Sequence, residues 1–399
     1  MKGIGERIRT LRKEKGLTQS QLVGTELTKS MLSQIENGKA MPSMKSLHYI
    51  AEQLGYDVDF LLGNQGHYAQ LAHEMQKLLQ QGKYKEMYEQ LLELMNEGFP
   101  QTVQGAKLAE QFAKACVEVE IEKVENMVEK AVALYEQHHM YHESAKAKFV
   151  LRHVHLRRGD CEAGIRLISD VRTYCKSREI EVDIMFKLDL YHMEAIFLLG
   201  ISENKKAKEV LTAAIAYSKE KAVYYRAGEI YRTLAMSAII SKDKEDFFYF
   251  SRKAYEYAVF TESKVLEAYV EVGYIEYYIE VENNDELARI HLDKYMKMAE
   301  KEEVISRKLS GKLLYREQKY EEALDMLTFN LVQGMYHPLD KEFTLSAGAY
   351  RALCYEQLGS IEKAREEIIE TYTQIMELPS NYTKKFVEET YHAILGRKN

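Results

Sequence analysis

A short turn-like fragment recurs along the chain, and this repetition limits the possible folds more than any other feature of the sequence. Successive copies begin 35 to 43 residues apart. Five positions after the start, five of the eight copies carry Gly or Ala, and nine positions after it seven copies carry an aliphatic residue. Strong copies begin at Gly82, Gly159, Ser202, Gln318 and Gly359, and weaker copies begin at Val119, Lys242 and Asn283.

Each copy predicts two helices joined by the recurring turn. The chain has only 4 Pro among 399 residues, and this shortage of helix breakers favours long helices over many short strands. The small residue lets the two helices of a pair approach closely, and the aliphatic residue fills the seam to the next pair. The series resembles tetratricopeptide repeats stretched from about 34 residues to about 40.

The repeat resemblance implies an all-α fold in which residues 67–399 form a right-handed α-solenoid of about eight helix pairs. Stacked repeats present an extended concave surface, which serves binding more often than catalysis. A packed helical domain without repeats is the structural alternative that the sequence leaves open.

The first 66 residues predict five short helices with clear start signals. Thr18 followed by Gln21 predicts a capping box at the start of the second helix. Thr28 is the predicted N-cap of the third helix, and Asp57 is the predicted N-cap of the fifth.

The third helix has one polar face. Leu32 and Ile35 point towards a small core, whereas short donors and acceptors share the opposite side. Such side chains fit the major groove of DNA, where an amide pairs with adenine and Lys with guanine. An ordinary solvated helix face is the alternative. The polar residues are Lys29, Ser30, Ser33, Gln34 and Asn37.

The segments 16–22 and 30–38, followed by Pro42-Ser43, resemble the phage-repressor type of helix-turn-helix domain. This resemblance implies that the third helix enters the major groove, and that Arg12 and Glu36 form a structural ion pair. The turn before the third helix is one residue shorter than in the phage pattern, which resembles Gram-positive peptide-sensing regulators. By resemblance, Lys29, Ser30, Ser33 and Gln34 read bases, and Gln19, Asn37 and Lys39 hold phosphates.

A helix-turn-helix domain joined to such repeats resembles the RRNPP group of regulators. The resemblance implies a homodimeric transcription factor in which residues 1–66 bind double-stranded DNA and residues 67–399 bind a short signalling peptide and dimerise. The alternative is an adaptor that sequesters a protein partner such as a phosphorelay response regulator. Counting back from the turns, the groove residues implied are His153, His192, Arg232, Tyr277, Lys308 and Lys312.

The charge distribution confines contact with phosphate to the N-terminal part of the chain. The net charge is −7, yet residues 1–66 hold nine Lys and Arg against seven Asp and Glu, so the acidic excess lies in the remainder. The sequence has none of the glycine-rich phosphate-binding or nucleophile-elbow motifs. We therefore predict no catalytic residue and no cofactor.

Histidine and cysteine patterns predict no metal site. His138 and His142 have a spacing that zinc ligands use on one helix, but no Glu stands between them in the metalloprotease pattern and no Cys lies near. The four Cys are far apart in the sequence, so we expect each of them to act as a small buried hydrophobic residue. The N-terminus lacks the apolar segment of a signal peptide, and no apolar run is long enough to cross a bilayer, so we expect a cytoplasmic protein without membrane contact.

Overall fold

The computed structural model describes residues 3–24, 27–56, 58–62, 65–298, 304–329, 337–379 and 382–396. Within those ranges every regular element is helical, so the predicted all-α fold is confirmed. The chain divides into two compact units, Met1–Val154 with Tyr174–Ile180 and His155–Thr173 with Glu181–Asn399. Asp57, the predicted N-cap of the fifth helix, lies outside the described residues.

The first unit begins with five short helices. The Thr18 hydroxyl oxygen accepts a hydrogen bond from the Gln21 N–H at 3.3 Å, and the Gln21 side chain accepts one from the Thr18 N–H at 2.8 Å, which confirms the capping box. The apolar faces of these helices meet in one core. The helices are α1 (Ile4–Glu14), α2 (Gln19–Val23), α3 (Lys29–Glu36), α4 (Met44–Leu54) and α5 (Val58–Leu62).

Paired helices follow in both units. The first unit contains α6 (Gln65–Gln80), α7 (Tyr84–Glu97), α8 (Val103–Val119), α9 (Val124–Gln137) and α10 (Tyr141–Lys148), and both units share α11 (Arg152–Arg158) and α12 (Cys161–Ser177). The second unit contains α13 (Ile184–Gly200), α14 (Asn204–Lys221), α15 (Ala227–Ser241), α16 (Lys244–Phe260), α17 (Lys264–Tyr277), α18 (Asp285–Met296), α19 (Val304–Arg316), α20 (Tyr320–Leu327), α21 (Pro338–Leu345), α22 (Ala347–Gln357), α23 (Ile361–Met376) and α24 (Tyr382–Leu395).

The predicted turns join these helices. At seven of the eight predicted starts the residue has a positive φ, between 53° and 76°, which ends one helix before the next begins. Val119 is the exception, because α8 continues to that residue and a 3₁₀ turn at Ile121–Lys123 precedes α9. The residues five and nine positions after every start are buried. The repeated helix pair is thereby confirmed.

The small residue of the repeat has the role that the pattern predicts. A Cβ atom at Gly164 of α12 would lie 2.4 Å from the ring of Phe197 on α13, well inside van der Waals contact. The helices can therefore approach this closely only because residue 164 has no side chain.

Candidate nucleic-acid interface and ligand-binding surface

The third helix presents the polar face that the sequence predicts. The Thr28 hydroxyl oxygen accepts a hydrogen bond from the Met31 N–H at 3.2 Å and fixes the start of α3. Leu32 and Ile35 are buried in the core of the five helices. On the opposite side Lys29, Ser30 and Gln34 are exposed and Ser33 is half-buried.

A buried ion pair holds α3 against α1. The Arg12 guanidinium donates to Glu36 Oε1 from Nε at 2.6 Å and to Oε2 from a terminal nitrogen at 2.9 Å, which confirms the predicted pair. Burial raises the pKa of the Glu36 carboxyl, but hydrogen bonds from Arg12 and Gln19 outweigh burial and hold it below its usual range. A two-pronged contact of this kind fixes orientation as well as distance.

The three predicted phosphate-binding residues have different surroundings. The Gln19 side chain donates to Glu36 Oε2 at 2.8 Å, so its amide group already serves the ion pair. The Asn37 side chain donates to the Ser33 carbonyl oxygen at 2.8 Å. Lys39 is exposed directly after the turn at Gly38, where φ is +69°. Lys39 is therefore the best placed of the three for contact with a phosphate.

Of the six predicted groove residues, His192 lies on α13 and Arg232 lies on α15. These are the first helices of two successive helix pairs in the second unit. The His192 Nε2–H donates to the Thr233 hydroxyl at 3.3 Å, while the Thr233 hydroxyl donates to the Glu229 carbonyl oxygen. Burial, with Arg226 and Arg232 nearby, lowers the pKa of His192 to about 3. The imidazole is therefore neutral at physiological pH, and Arg232 carries the charge in this part of the surface.

Lys308 and Lys312 are buried on α19, each with 2% of its area exposed. Lys312 forms ion pairs with Glu276 of α17 and with Glu280. Burial, partly opposed by Glu276, lowers the pKa of Lys308 to about 7, because a charged ammonium loses its hydration there. Both residues face the interior of the unit, where the sequence predicted an open groove.

The structure buries Tyr277, which the sequence predicted to line the groove. Its ring is fully buried and stacks on Phe247 with 4.1 Å between centroids, and its hydroxyl donates to Glu282 at 3.1 Å. The reason is the π-helical segment Tyr278–Glu282, which follows α17 directly. A π turn holds one residue more than an α turn, so counting back from the turn misses by one position. Glu276 takes the inward place and pairs with Lys312.

The short helix α21 packs against α13 and α19, and no pattern in the sequence indicates this contact. We call the part of α13, α15 and α19 that includes His192, Arg232 and Lys308 the α21-facing surface. The helix α21 contacts α13 and α19 directly. The Lys308 ammonium lies 3.3 Å from the centroid of the Phe343 ring on α21. Only tertiary packing could bring these residues together, since they are far apart in the chain.

Other predictions concern single residues or absences. His153 belongs to the first unit, where it is half-buried on α11. The four Cys are free and buried, as predicted. In the described ranges no group of three or more His, Cys, Asp or Glu side chains is arranged to hold a metal ion. No helix in the same ranges is both long enough and apolar enough to span a bilayer.

Comparison with known proteins identifies the N-terminal domain. Residues 5–66 match the family model described as a helix-turn-helix domain. The immunity repressor protein of Bacillus phage phi105 is 38% identical over 63 residues, which are 16% of this chain and 44% of that protein. The chain thus spans less than half the length of this curated relative.

Two solved structures are similar over more of the chain. PlcR of Bacillus thuringiensis, in complex with the peptide PapR7 and DNA, is 21% identical, covers 68% of this chain and 99% of its own, and has a TM-score of 0.42. NprR in complex with its cognate peptide NprX is 14% identical, covers 72% of this chain and 82% of its own, and has a TM-score of 0.49. The family match, the capped helices and the Arg12–Glu36 pair agree with one another. The chain therefore has a helix-turn-helix domain in residues 5–66, and a helical repeat region follows this domain.

Proposed function

We propose that the protein is a sequence-specific DNA-binding transcriptional regulator of the cytoplasm, controlled by a short signalling peptide. Residues 1–66 bind double-stranded DNA, and residues 67–399 bind the peptide and form a homodimer. The observation that carries the DNA-binding part is the exposed polar face of α3, held rigidly to α1 by the Arg12–Glu36 pair. The match of residues 5–66 to the helix-turn-helix family supports the same conclusion. No catalytic role and no cofactor belong to this proposal.

In the proposed complex α3 lies in the major groove. The Gln34 side chain can pair with adenine by accepting through its amide oxygen and donating through its amide nitrogen, and Lys29 can donate to guanine. Ser30 and Ser33 add short hydrogen-bonding groups on the same face. Lys39 would contact a phosphate next to the groove, with Gln19 and Asn37 beside it, and so set the register of the helix on the duplex.

A dimer follows from the small number of bases that one helix can read. Two recognition helices read two half-sites about 34 Å apart, one turn of DNA. The second unit exposes three apolar side chains around the turn from α16 to α17, which are Val259, Phe260 and Val265, at 54%, 81% and 69%. Large exposed apolar areas are typical of association surfaces. We propose these side chains as the contact with a second copy.

The peptide-binding part of the proposal rests on the cations of the second unit. Arg232 provides a positive group for a carboxylate of a peptide and Lys308 provides a second amine, whereas the charge of Lys312 is already compensated by Glu276 and Glu280. Binding would alter the dimer and so the spacing of the two DNA-binding domains. A coupling of about 1–3 kcal/mol between the two sites is enough to change operator occupancy severalfold.

The DNA-binding proposal is tested by selection of genomic fragments with the full chain, followed by affinity measurements on the selected sequence. We expect Gln34→Ala to lose about 1–3 kcal/mol of discrimination between the selected sequence and random DNA. Gln53→Ala is the matched control, because Gln53 is an exposed amide on α4, away from α3. Selection of no sequence, or equal discrimination by both variants, would contradict the proposal.

A further inference from the structure

We propose that α21 is an internal pseudo-ligand. In the peptide-free protein it occupies the α21-facing surface, which is the proposed peptide-binding surface of the second unit. It follows that the signalling peptide belongs to a definite chemical class. It carries a carboxylate that replaces Asp340 and an aromatic ring that replaces Phe343. This inference rests on the proposed function, since it assigns the ligand of the same surface.

The N-terminal end of α21 is fixed to α13. The His337 Nδ1 accepts a hydrogen bond from the Leu339 N–H at 3.2 Å, so the ring hydrogen resides on Nε2, which donates to the Ile196 carbonyl oxygen at 2.9 Å. Leu339 packs on the apolar cluster that includes Leu188 of α13. The hydrogen bond from His337 to Ile196 joins residues 141 positions apart in the chain. A peptide would offer the same two kinds of group, a donor and an aliphatic side chain.

The middle of α21 places a ring on Lys308 and an acid in the neighbourhood of Arg232. The charge of Asp340 is the strongest of the attractions that oppose the effect of burial on the pKa of Arg232, although the two side chains form no ion pair. The Phe343 ring covers the Lys308 ammonium at 3.3 Å and packs on the cluster that contains Leu309. Asp340 and Phe343 are three positions apart, on one face of the helix. An acidic peptide with an aromatic residue at this spacing would offer the same charge and the same ring.

The contact is extensive, yet α21 is a poor helix by itself. Glu342 and Thr344 on α21 are buried, with 1% and 2% of their areas exposed. The helix has only eight residues, and isolated helices below about 12 residues are marginal in water. Its order therefore depends on its neighbours, which include α22, α23 and α24 as well as α13 and α19. A peptide that takes the surface of α13 and α19 removes part of this packing.

The experiment uses a fluorescein-labelled synthetic peptide with the sequence of residues 337–345 as the probe. Its affinity is measured by fluorescence anisotropy for the full wild-type chain and for Phe343→Ala, which weakens the hold of α21 on its surface. Because a site open only in a small fraction of molecules shows a proportionally weaker affinity, we expect Phe343→Ala to bind the probe at least about tenfold more tightly. Phe329→Ala is the matched control, since Phe329 is also half-buried but lies outside α21; it should bind as the wild type does.

Two further measurements keep the test decisive. A second probe, with Asn and Ala in place of the residues equivalent to Asp340 and Phe343, should lose the binding to Phe343→Ala. If thermal melting shows that Phe343→Ala does not fold, His337→Ala takes its place, because that change removes only the hydrogen bonds of the α13 end. Equal affinity of the wild type and the variant, or equal binding of both probes, would overturn the inference.

A chemical footprint reports on α21 without any peptide. Acetylation by an amine-reactive ester, followed by mass spectrometry of the full chain, should modify Lys308 at least about tenfold faster in Phe343→Ala, because the accessible fraction of the surface rises. Lys384 is the internal control, because it is buried elsewhere and donates to the Met376 and Leu378 carbonyl oxygens. None of these measurements involves DNA. Failure of the pseudo-ligand inference is therefore distinct from failure of the proposed function, which the selection of an operator decides.

Discussion

The Lys312 ammonium on α19 donates to both carboxylate oxygens of Glu276 on α17, at 3.3 Å and 3.2 Å. Their side chains expose only 2% and 3% of their areas. Glu280, in the π-helical segment, adds a second carboxylate to the same ammonium. Lys312 and Glu276 compensate each other where water is largely excluded, so each depends on the presence of the other, while Glu280 adds a further negative charge from a more exposed position.

Lys312→Met is expected to destabilise the protein, because it leaves Glu276 buried without a countercharge. Removal of one partner of a buried pair lowers the free energy of unfolding by about 3–5 kcal/mol. The double variant Lys312→Met/Glu276→Gln should recover part of this loss, since no uncompensated carboxylate remains at position 276. Urea denaturation of the wild type, both single variants and the double variant measures the coupling. Additive effects of the two single changes would show that the pair does not act as one.

Lys308 should make stability depend on pH between about 7 and 10. Burial lowers its pKa in the folded protein to about 7, from the usual value of 10.5, with Glu276 and Glu280 opposing the shift and Lys312 adding to it. The unfolded chain then binds more protons in this range, so stability rises as the pH rises through it. Lys308→Met should remove this rise, and should therefore stabilise the protein more at pH 6.5 than at pH 9. The measurement is urea denaturation of both proteins at the two pH values; a constant difference would contradict the burial of Lys308.

Arg12→Met should destabilise the DNA-binding domain by about 3 kcal/mol, since it leaves the Glu36 carboxylate buried without its guanidinium partner. The folded pKa of Glu36 is below its usual range. The contribution of the Arg12–Glu36 pair to the free energy of unfolding is therefore present at neutral pH. It is lost as the pH falls through the pKa of Glu36 in the folded protein. Lys13→Met, at the exposed neighbouring position, serves as the control and should change little. Hydrogen exchange of the amides in α3 reports the local loss of stability, and unchanged exchange in Arg12→Met would count against the role of the pair.

Lys39→Ala should weaken binding to all DNA rather than change sequence preference. A phosphate contact releases counterions, so its removal should reduce the dependence of log K on log salt concentration by roughly one unit. Affinities measured for the selected operator and for random DNA between about 50 and 200 mM salt test this expectation. Lys85→Ala, an exposed Lys on α7, should leave the salt dependence unchanged. A loss confined to the operator would mean that Lys39 contacts a base.

Local signals in the sequence predicted the capped N-terminal helices and seven of the eight repeat turns. Thr18, Gln21 and Thr28 act through backbone groups three residues away, so their capping roles can be read directly from the chain. The repeat register predicted buried positions correctly in α12 through α23, because helix periodicity and the recurring turn are themselves local. The same register failed at Tyr277, where the π-helical segment adds a residue that composition and spacing do not reveal.

The sequence by itself determined an all-helical chain of capped and paired helices, with a recognition helix whose polar face is exposed. These features depend on interactions between residues a few positions apart. Only the tertiary structure decided that Glu276, rather than Tyr277, meets Lys312, and that Phe343 of α21 covers Lys308. Those contacts join distant parts of the chain, and the packing of whole helices selects them from many combinations that charge and hydrophobicity would equally allow.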